Sequence, residues 1–485
     1  MIPVPNPEDY DVSLTNGFLP TEPPLDCLLN PYYEPWEYIV KNLQGLILSK
    51  RLREVVDKLP VLSTERLVSE EQWRRAYSVL AFITHAYVWG GNKPAERVPP
   101  PISIPFLKTC EHLELPSVAT YASVVLWNWK PIFDAERVDT LANLDIINTF
   151  TGSLDEKWFY LVSVAIEAKG GPLIPLMLKT IEAASHYDRE TVKHCLRTFA
   201  EKLDEIGTTL VRMYDECDPH VFYHRIRPFL AGSKNMGDAG LPNGVIFDDG
   251  GPINKQRYVQ FAGGSNAQSS IIQFFDLILN VDHKPTGDKS KTADQDQKKK
   301  TKPEPSFIHE MRKYMPGPHA RFLEHVGSVA NIRQFVQQHQ YDRELTIAFD
   351  ACISMLSALR DKHIQMVSRY IVIKSRQAKE EKPDNAKSSK KMNLALAHRT
   401  KPNAEGTTQD KKKDLTGTGG SSLVSFLRQA RNETGEPALD AWTRRLLIKQ
   451  RRGNTADDKS EDDVSCQGLA GMWKIDENSG GLCVV

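Results

Sequence analysis

The stretch DACISMLSALRDKHIQMVSRYIVI, from Asp350 to Ile373, decides the fold. Within it Leu356, Leu359, His363, Met366, Val367 and Tyr370 recur at steps of three or four, so they share one face of a long helix. That face is apolar except for His363, which the pattern therefore turns into a core. Arg360 lies three residues earlier and reaches the same buried space, where its guanidinium needs an anion. Two readings of His363 stay open on this pattern. It is either a core histidine bonded to a backbone carbonyl, or a neutral imidazole that takes iron while the arginine meets a haem propionate.

Working outward, helical periodicity recurs along most of the chain: PWEYIVKNLQGLILSKRLREVVDKL, EEQWRRAYSVLAFITHAYVW and SVATYASVVLWNWK before Asp145. After Leu154 come KWFYLVSVAIEAK, LIPLMLKTIEAASHY, RETVKHCLRTFAEKLDEIGTTLVRMY, SSIIQFFDLILNV and SFIHEMRKYM. Strand signals are few, the best being NGVIF and RYVQF on either side of Gly250 and Gly251. The expectation is an all-α protein. A Pro-rich extended arm (1–35) precedes a small helical domain (36–145) that caps a larger helical domain (146–436), and a polar tail (437–485) follows. Two low-complexity runs, at about 283–305 and 377–413, are too polar to fold alone and read as mobile surface loops.

Composition narrows the function classes. The chain has 485 residues, 40% hydrophobic and 26% charged, enough for a large buried core. Lys and Arg number 62 and Asp and Glu 62, so the net charge is zero and no long-range field draws nucleic acid or an anionic membrane. No stretch reaches the length of a membrane-spanning helix, and the start MIPVPNPEDYDVSL lacks a basic segment followed by an apolar run, so a cytoplasmic location is expected. Seven scattered cysteines without CxxC pairing are neither a disulfide framework nor a zinc site.

Other motif-like strings carry less. His309 and Glu310 begin an HExxH, but Lys313 stands where the second histidine belongs. In FAGGSNAQSS, Gly263, Ser265 and Ala267 approximate the G-x-S-x-G of a nucleophile elbow, with His363 downstream as a triad partner. A serine hydrolase built on Ser265 needs a parallel sheet, whereas these flanks are helical. The alternative is that Gly263 and Gly264 turn the chain and Ser265 or Ser269 caps the next helix.

Five strings, YASVVLWNWK, FYHRIRPFLAGSKN, FAGGSNAQSSIIQFFD, LRDKHIQMVSRYIVI and GTGGSSLVSFLRQAR, together resemble indoleamine 2,3-dioxygenases in order and approximate spacing, and RKYMPGPHARFL and WFYLVSVAIEA add to the likeness. It spans about Pro31 to Arg431. The resemblance implies an all-helical fold whose large domain holds a b-type haem beneath the small domain. By the same resemblance His363 is the proximal iron ligand, Arg360 a propionate partner, and Asp276 an acid that stabilises that arginine. Phe222 and Tyr223 correspond to aromatic walls of the distal pocket, and Arg227 to the residue that grips the substrate carboxylate. Tyr121, Val124, Val125, Phe159 and Ser163 resemble the lining around the indole ring. Gly264 and Ser265 pass over the haem edge, and Thr418 in GTGG lies on a loop that closes over the substrate ammonium. Departures from the family pattern are the hydroxyl of Tyr223, Val124 in place of a small polarisable residue, and Asn266 after the glycines.

The activity so implied inserts both atoms of dioxygen into the pyrrole ring of L-tryptophan to give N-formylkynurenine, the first step of the kynurenine route of tryptophan catabolism and NAD biosynthesis. Its partners are L-tryptophan, molecular oxygen and an unidentified reductant, with no nucleic acid, no membrane and a monomeric state. The cofactor supplies the hard step and the protein supplies orientation and dryness, so a pocket with one arginine and no catalytic dyad suffices. Two alternatives stand beside it: a haem protein of the same fold that binds oxygen or signals with little turnover, and the Ser265 hydrolase.

Overall fold

The computed structural model describes residues 3–285, 306–380, 423–441, 443–445 and 447, and the backbone of two short strands, Ser465–Gly468 and Gly471–Lys474. The all-α expectation holds. The framework helices are α1 (Glu70–Trp89), α2 (Leu154–Gly170), α3 (Leu173–Ser185), α4 (Arg189–Val211), α5 (Ser270–Ile278), α6 (Arg343–Val367) and α7 (Leu423–Thr434).

The long helices begin where the sequence supplies an oxygen for their free amides. The side chains of Ser69, Ser153, Asp188 and Asp342 accept from the backbone N–H three residues on, in α1, α2, α4 and α6 respectively. Helix α6 packs along α4 over most of its length and against α7 on another face. Leu356 and Leu359 of the stripe are buried, as are Met366, Val367 and Tyr370. Helix α1 is buried from Arg75 to Trp89 without interruption, because it is wrapped on all sides rather than on one stripe.

One contiguous apolar cluster runs from Val12 through Trp129 and Phe150 to Leu447, so packing is continuous across residue 145. The amino-terminal arm is pinned to this core. Val12, Phe18 and Leu19 are buried, Phe18 meets the rings of His319 and Phe322, and the Tyr10 hydroxyl is 2.8 Å from Nδ1 of His325.

Strands are short ties. β1 (Arg97–Val98) pairs parallel with β4 (Val245–Phe247), which pairs antiparallel with β5 (Tyr258–Val259); β2 (Trp129–Pro131) pairs antiparallel with β3 (Leu144–Ile146). NGVIF and RYVQF thus form strands as the sequence suggests.

Three expectations need correction. Leu154–Ser185, spanning α2 and α3, is long and apolar enough to cross a membrane by length and mean hydropathy, but 78% of its apolar window is buried inside the protein, so it is a core element here. The run expected as a loop from residue 283 begins with a buried residue: the His283 side chain is 5% exposed, because two carboxylates flank it. The expected tail from 437 contributes to the core through Ala438 and Leu447. The Asp350 carboxylate holds it in place by accepting the backbone N–H groups of Leu439 and Asp440 at 2.8 and 2.7 Å.

Candidate active site

Three stretches of wide, π-type helical turn, Ala122–Leu126, Phe222–Ile226 and Ser368–Ile373, border one cavity. Such a turn carries an extra residue, which rotates side chains off the regular helix face, and these turns concentrate at functional sites. The first delivers Val124 and Val125 to the cavity, the second Phe222, the third Tyr370 and Ile371. Phe159, Ile166, Leu210, Leu356 and Phe426 add to a wall that is overwhelmingly apolar. The cavity volume is about 250 Å³.

His363 faces this space from α6. It keeps an intermediate exposure, and the surface it exposes is cavity wall. Burial, and then the Arg360 charge, push its pKa down to about 4, so the ring is neutral at physiological pH. Neither ring nitrogen has a hydrogen-bonding partner among the described residues. The core-histidine reading, which needs a carbonyl acceptor, is therefore not what the structure has.

One turn away, Nη2 of Arg360 donates to both oxygens of Asp276, at 2.8 and 2.7 Å, and Nη1 donates to the Thr434 hydroxyl. Burial raises the Asp276 pKa, but Arg360 and then His283 outweigh it, and the carboxylate is held below its ordinary value. Arg360 lines the cavity, and its Nε and one Nη1 hydrogen have no partner among the described residues. An apolar slot, a neutral imidazole without a protein partner and a guanidinium with spare donors together suit a haem, whose iron needs the first two and whose carboxylates need the third.

Arg227 is 2% exposed and also lines the cavity. Burial lowers its pKa to about 10, which leaves it charged at neutral pH. Phe222 stands beside it, its ring centroid 4.8 Å from Phe159 and 5.6 Å from Tyr370. Tyr223 does not line the cavity. Its side chain packs with Ala378 and against Ile371, with the Arg227 guanidinium 5.6 Å from its ring, because successive residues of a helical turn point in different directions.

The segments carrying Arg227 and Ser265 are pressed together at two glycines. A Cβ on Gly263 would lie 2.1 Å from the Leu230 carbonyl oxygen, and one on Gly232 would lie 2.2 Å from that of Phe261. The strings FLAGS and FAGGS therefore need glycine for close backbone approach. Gly264 and Ser265 reach the cavity. Ser265 accepts the Ala267 N–H at 3.3 Å and caps the short turn Asn266–Gln268. No histidine is in hydrogen-bond reach of it among the described residues, and the strand before it, β5, pairs antiparallel, so the hydrolase geometry is absent among the described residues. Thr418 and the GTGG string lie outside the described residues.

Several residues that sequence reasoning passed over shape the site. The Gln268 amide accepts the Tyr121 N–H at 2.9 Å and donates to the Gly263 carbonyl at 2.9 Å, tying two walls together. His85, held near pKa 4 by burial, donates to the Phe229 carbonyl at 2.7 Å and accepts the Ala119 N–H at 2.8 Å. Glu167, one turn after Ser163 on α2, accepts from Ser269, and both serines line the cavity. The Ser163-to-Glu167 step of four is a readable signal; the Gln268 bond to Gly263 is also local, and the other contacts are long-range.

Comparison with known proteins agrees with this geometry. The sequence profile of indoleamine 2,3-dioxygenase matches residues 6–437. The chain is 38% identical over 447 residues to indoleamine 2,3-dioxygenase of Saccharomyces cerevisiae, covering 90% of this chain and 94% of that one. It is 37% identical over 433 residues to indoleamine 2,3-dioxygenase qulI of Penicillium citrinum, covering 88% and 87%. It is 36% identical over 434 residues to 6-hydroxytryptophan 2,3-dioxygenase fscD of Fusarium equiseti, covering 89% and 97%. By family this is an oxidoreductase of the tryptophan and indoleamine dioxygenase type, and the chain belongs to the indoleamine 2,3-dioxygenase family.

Proposed function

We propose that this protein is a haem-dependent dioxygenase that inserts both atoms of O2 into the indole pyrrole ring of L-tryptophan to give N-formylkynurenine. The observation that carries the reading is that a neutral His363, without a partner among the described residues, and a buried, charged Arg227 face one apolar cavity. The haem dependence of the family supports it.

His363 would ligate the iron and Arg360 would meet a haem carboxylate. When bound, the haem supplies the chemistry that joins dioxygen to the indole. The protein's own part is binding and placement. Arg227 offers a planar pair of donors to the amino-acid carboxylate, a charge-assisted contact that a point charge cannot copy. Val124, Val125, Phe159 and Phe222 enclose the ring system and keep water away. Asp276 is the one carboxylate on the wall among the described residues, and it is committed to Arg360, so no free carboxylate base faces the substrate among them. That suits a reaction whose cofactor does the hard step.

The test is a spectrum followed by turnover. Purified protein should show an intense Soret band that shifts on reduction and with carbon monoxide, and aerobic L-tryptophan with a reductant should give N-formylkynurenine. A colourless protein after haem supplementation overturns the reading. Haem without turnover of L-tryptophan but with turnover of a ring-hydroxylated tryptophan moves the substrate and leaves the chemistry.

A further inference from the structure

His283 and Glu433 belong to no expected part of the site, yet they complete a buried chain of charges that ends at the cavity. Both His283 ring nitrogens face carboxylates: Nε2 lies 3.0 Å from Oδ2 of Asp276, and Nδ1 lies 2.8 Å from Oε2 of Glu433. Only an imidazolium donates to both at once. The three side chains are 5–6% exposed. Glu433 is held further by the Lys284 N–H at 3.1 Å and the Gln429 amide at 2.8 Å. Read along the chain the charges alternate: Glu433 negative, His283 positive, Asp276 negative, Arg360 positive.

The alternation matters for Arg360. An isolated buried Arg–Asp pair is neutral and offers little attraction to a further anion. With a cation on the far side of Asp276, the carboxylate is shared, and the Arg360 donors that face the cavity keep their pull on a carboxylate there. The same chain joins three separate segments, since Asp276 is on α5, Arg360 on α6 and Glu433 on α7. Helix α7 supplies Phe426, Leu427 and Ala430 to the cavity wall, so the bridge also helps to hold that wall, beside the ion pair of Arg431 on α7 with Asp361 on α6.

We propose that His283 is a positioning residue of the cofactor site, bridging Asp276 and Glu433 so that Arg360 is aimed at a haem carboxylate and α7 is latched over the cavity. This rests on the haem reading above. Burial alone lowers the His283 pKa, but the Asp276 charge and the bonds to Asp276 and Glu433 outweigh it and raise it above the ordinary histidine value. Around this bridge stand Arg360, Asp276, Glu433, Asp282, Lys284, His309 and Arg312, and it is the two bonded carboxylates that dominate. The latch is therefore full below about pH 6.5 and weakens as pH rises through the raised value.

The experiment measures transfer of haem from the loaded protein to an excess of haem-free myoglobin. His283→Asn should unload about ten- to a hundredfold faster than wild type, the usual effect of removing a partner that orients a ligand. Glu433→Gln should unload faster than wild type but less so than His283→Asn. Wild-type unloading should accelerate as pH rises above about 6.5, while His283→Asn shows no such rise. Asp350→Asn loosens the segment after α7 through Leu439 and Asp440 without touching the bridge, and it should unload like wild type. Wild-type rates in His283→Asn, or equal acceleration in Asp350→Asn, overturn the proposal. A wild-type protein that takes up no haem overturns the haem reading itself, and is seen before any variant is compared.

Discussion

The Ser269 hydroxyl donates to Oε1 of Glu167 at 2.6 Å, in a place where Glu167 is fully buried. Burial pushes that carboxyl up to about 7, against the opposing pull of its bonds from Ser269 and Tyr121. The proton is therefore held in the fold at pH values where the unfolded chain, near 4.5, has already lost it. Its contribution to stability is full below about 4.5 and declines as pH rises through 7, reaching a loss of about 3 kcal/mol. Glu167→Gln, permanently neutral, should match wild type in urea at pH 4.5 and exceed it at pH 8.5. Parallel stability curves for the two proteins would remove the buried proton.

Without haem His363 is costly, because its ring nitrogens lie in an apolar space with no partner among the described residues. His363→Leu should stabilise the haem-free protein by about 1–2 kcal/mol, the desolvation released, and should take up no haem. Thermal unfolding of both proteins without haem, and the Soret absorbance after reconstitution, read the two effects separately. A variant that is less stable than wild type without haem sinks the argument.

How legible this site was follows sequence distance. Arg360 and His363 are three apart on one helix, so periodicity alone puts them on neighbouring positions. Arg227, Phe222 and Gly264 carry no local pattern that names a role, and only their likeness to a family singled them out. Tyr223 shows the limit of that likeness, since its neighbour Phe222 faces the cavity and it does not. His283 and Glu433 lie 150 residues apart, and His283 opens a run whose polar composition reads as solvent-facing. Nothing local says that two carboxylates wait for it. The strand pair around Gly250 is readable because alternation and turn residues are local, whereas the segment that buries Ala438 is held through the Leu439 N–H by Asp350, 89 residues away.

Arg227→Ala should leave haem uptake intact and lower kcat/KM for L-tryptophan by about ten- to a hundredfold, the worth of a charge-assisted contact of roughly 1.5–3 kcal/mol. Arg227→Lys should recover little, because it lacks the planar fork. Tryptamine, which has no carboxylate, should lose far less in Arg227→Ala. An equal loss for both compounds would assign Arg227 to packing over Tyr223 rather than to the substrate.

Gly263→Ala tests whether the crossing of the two glycine segments sets the site. An added methyl would sit 2.1 Å from the Leu230 carbonyl oxygen and 2.3 Å from the Gly232 nitrogen, both backbone atoms that cannot rotate away. The segments must then separate, at a cost of roughly 1–3 kcal/mol. Separation moves Leu230 and Arg227 away from Gly264 and Ser265, which share the cavity wall with them. The variant should therefore lose stability to urea and raise KM for L-tryptophan together. Gly237→Ala is the matched control, since its nearest neighbour would be 3.7 Å away, and it should leave both quantities within error of wild type. If Gly263→Ala unfolds earlier but binds L-tryptophan normally, the glycine crossing serves the fold and not the placement of Arg227.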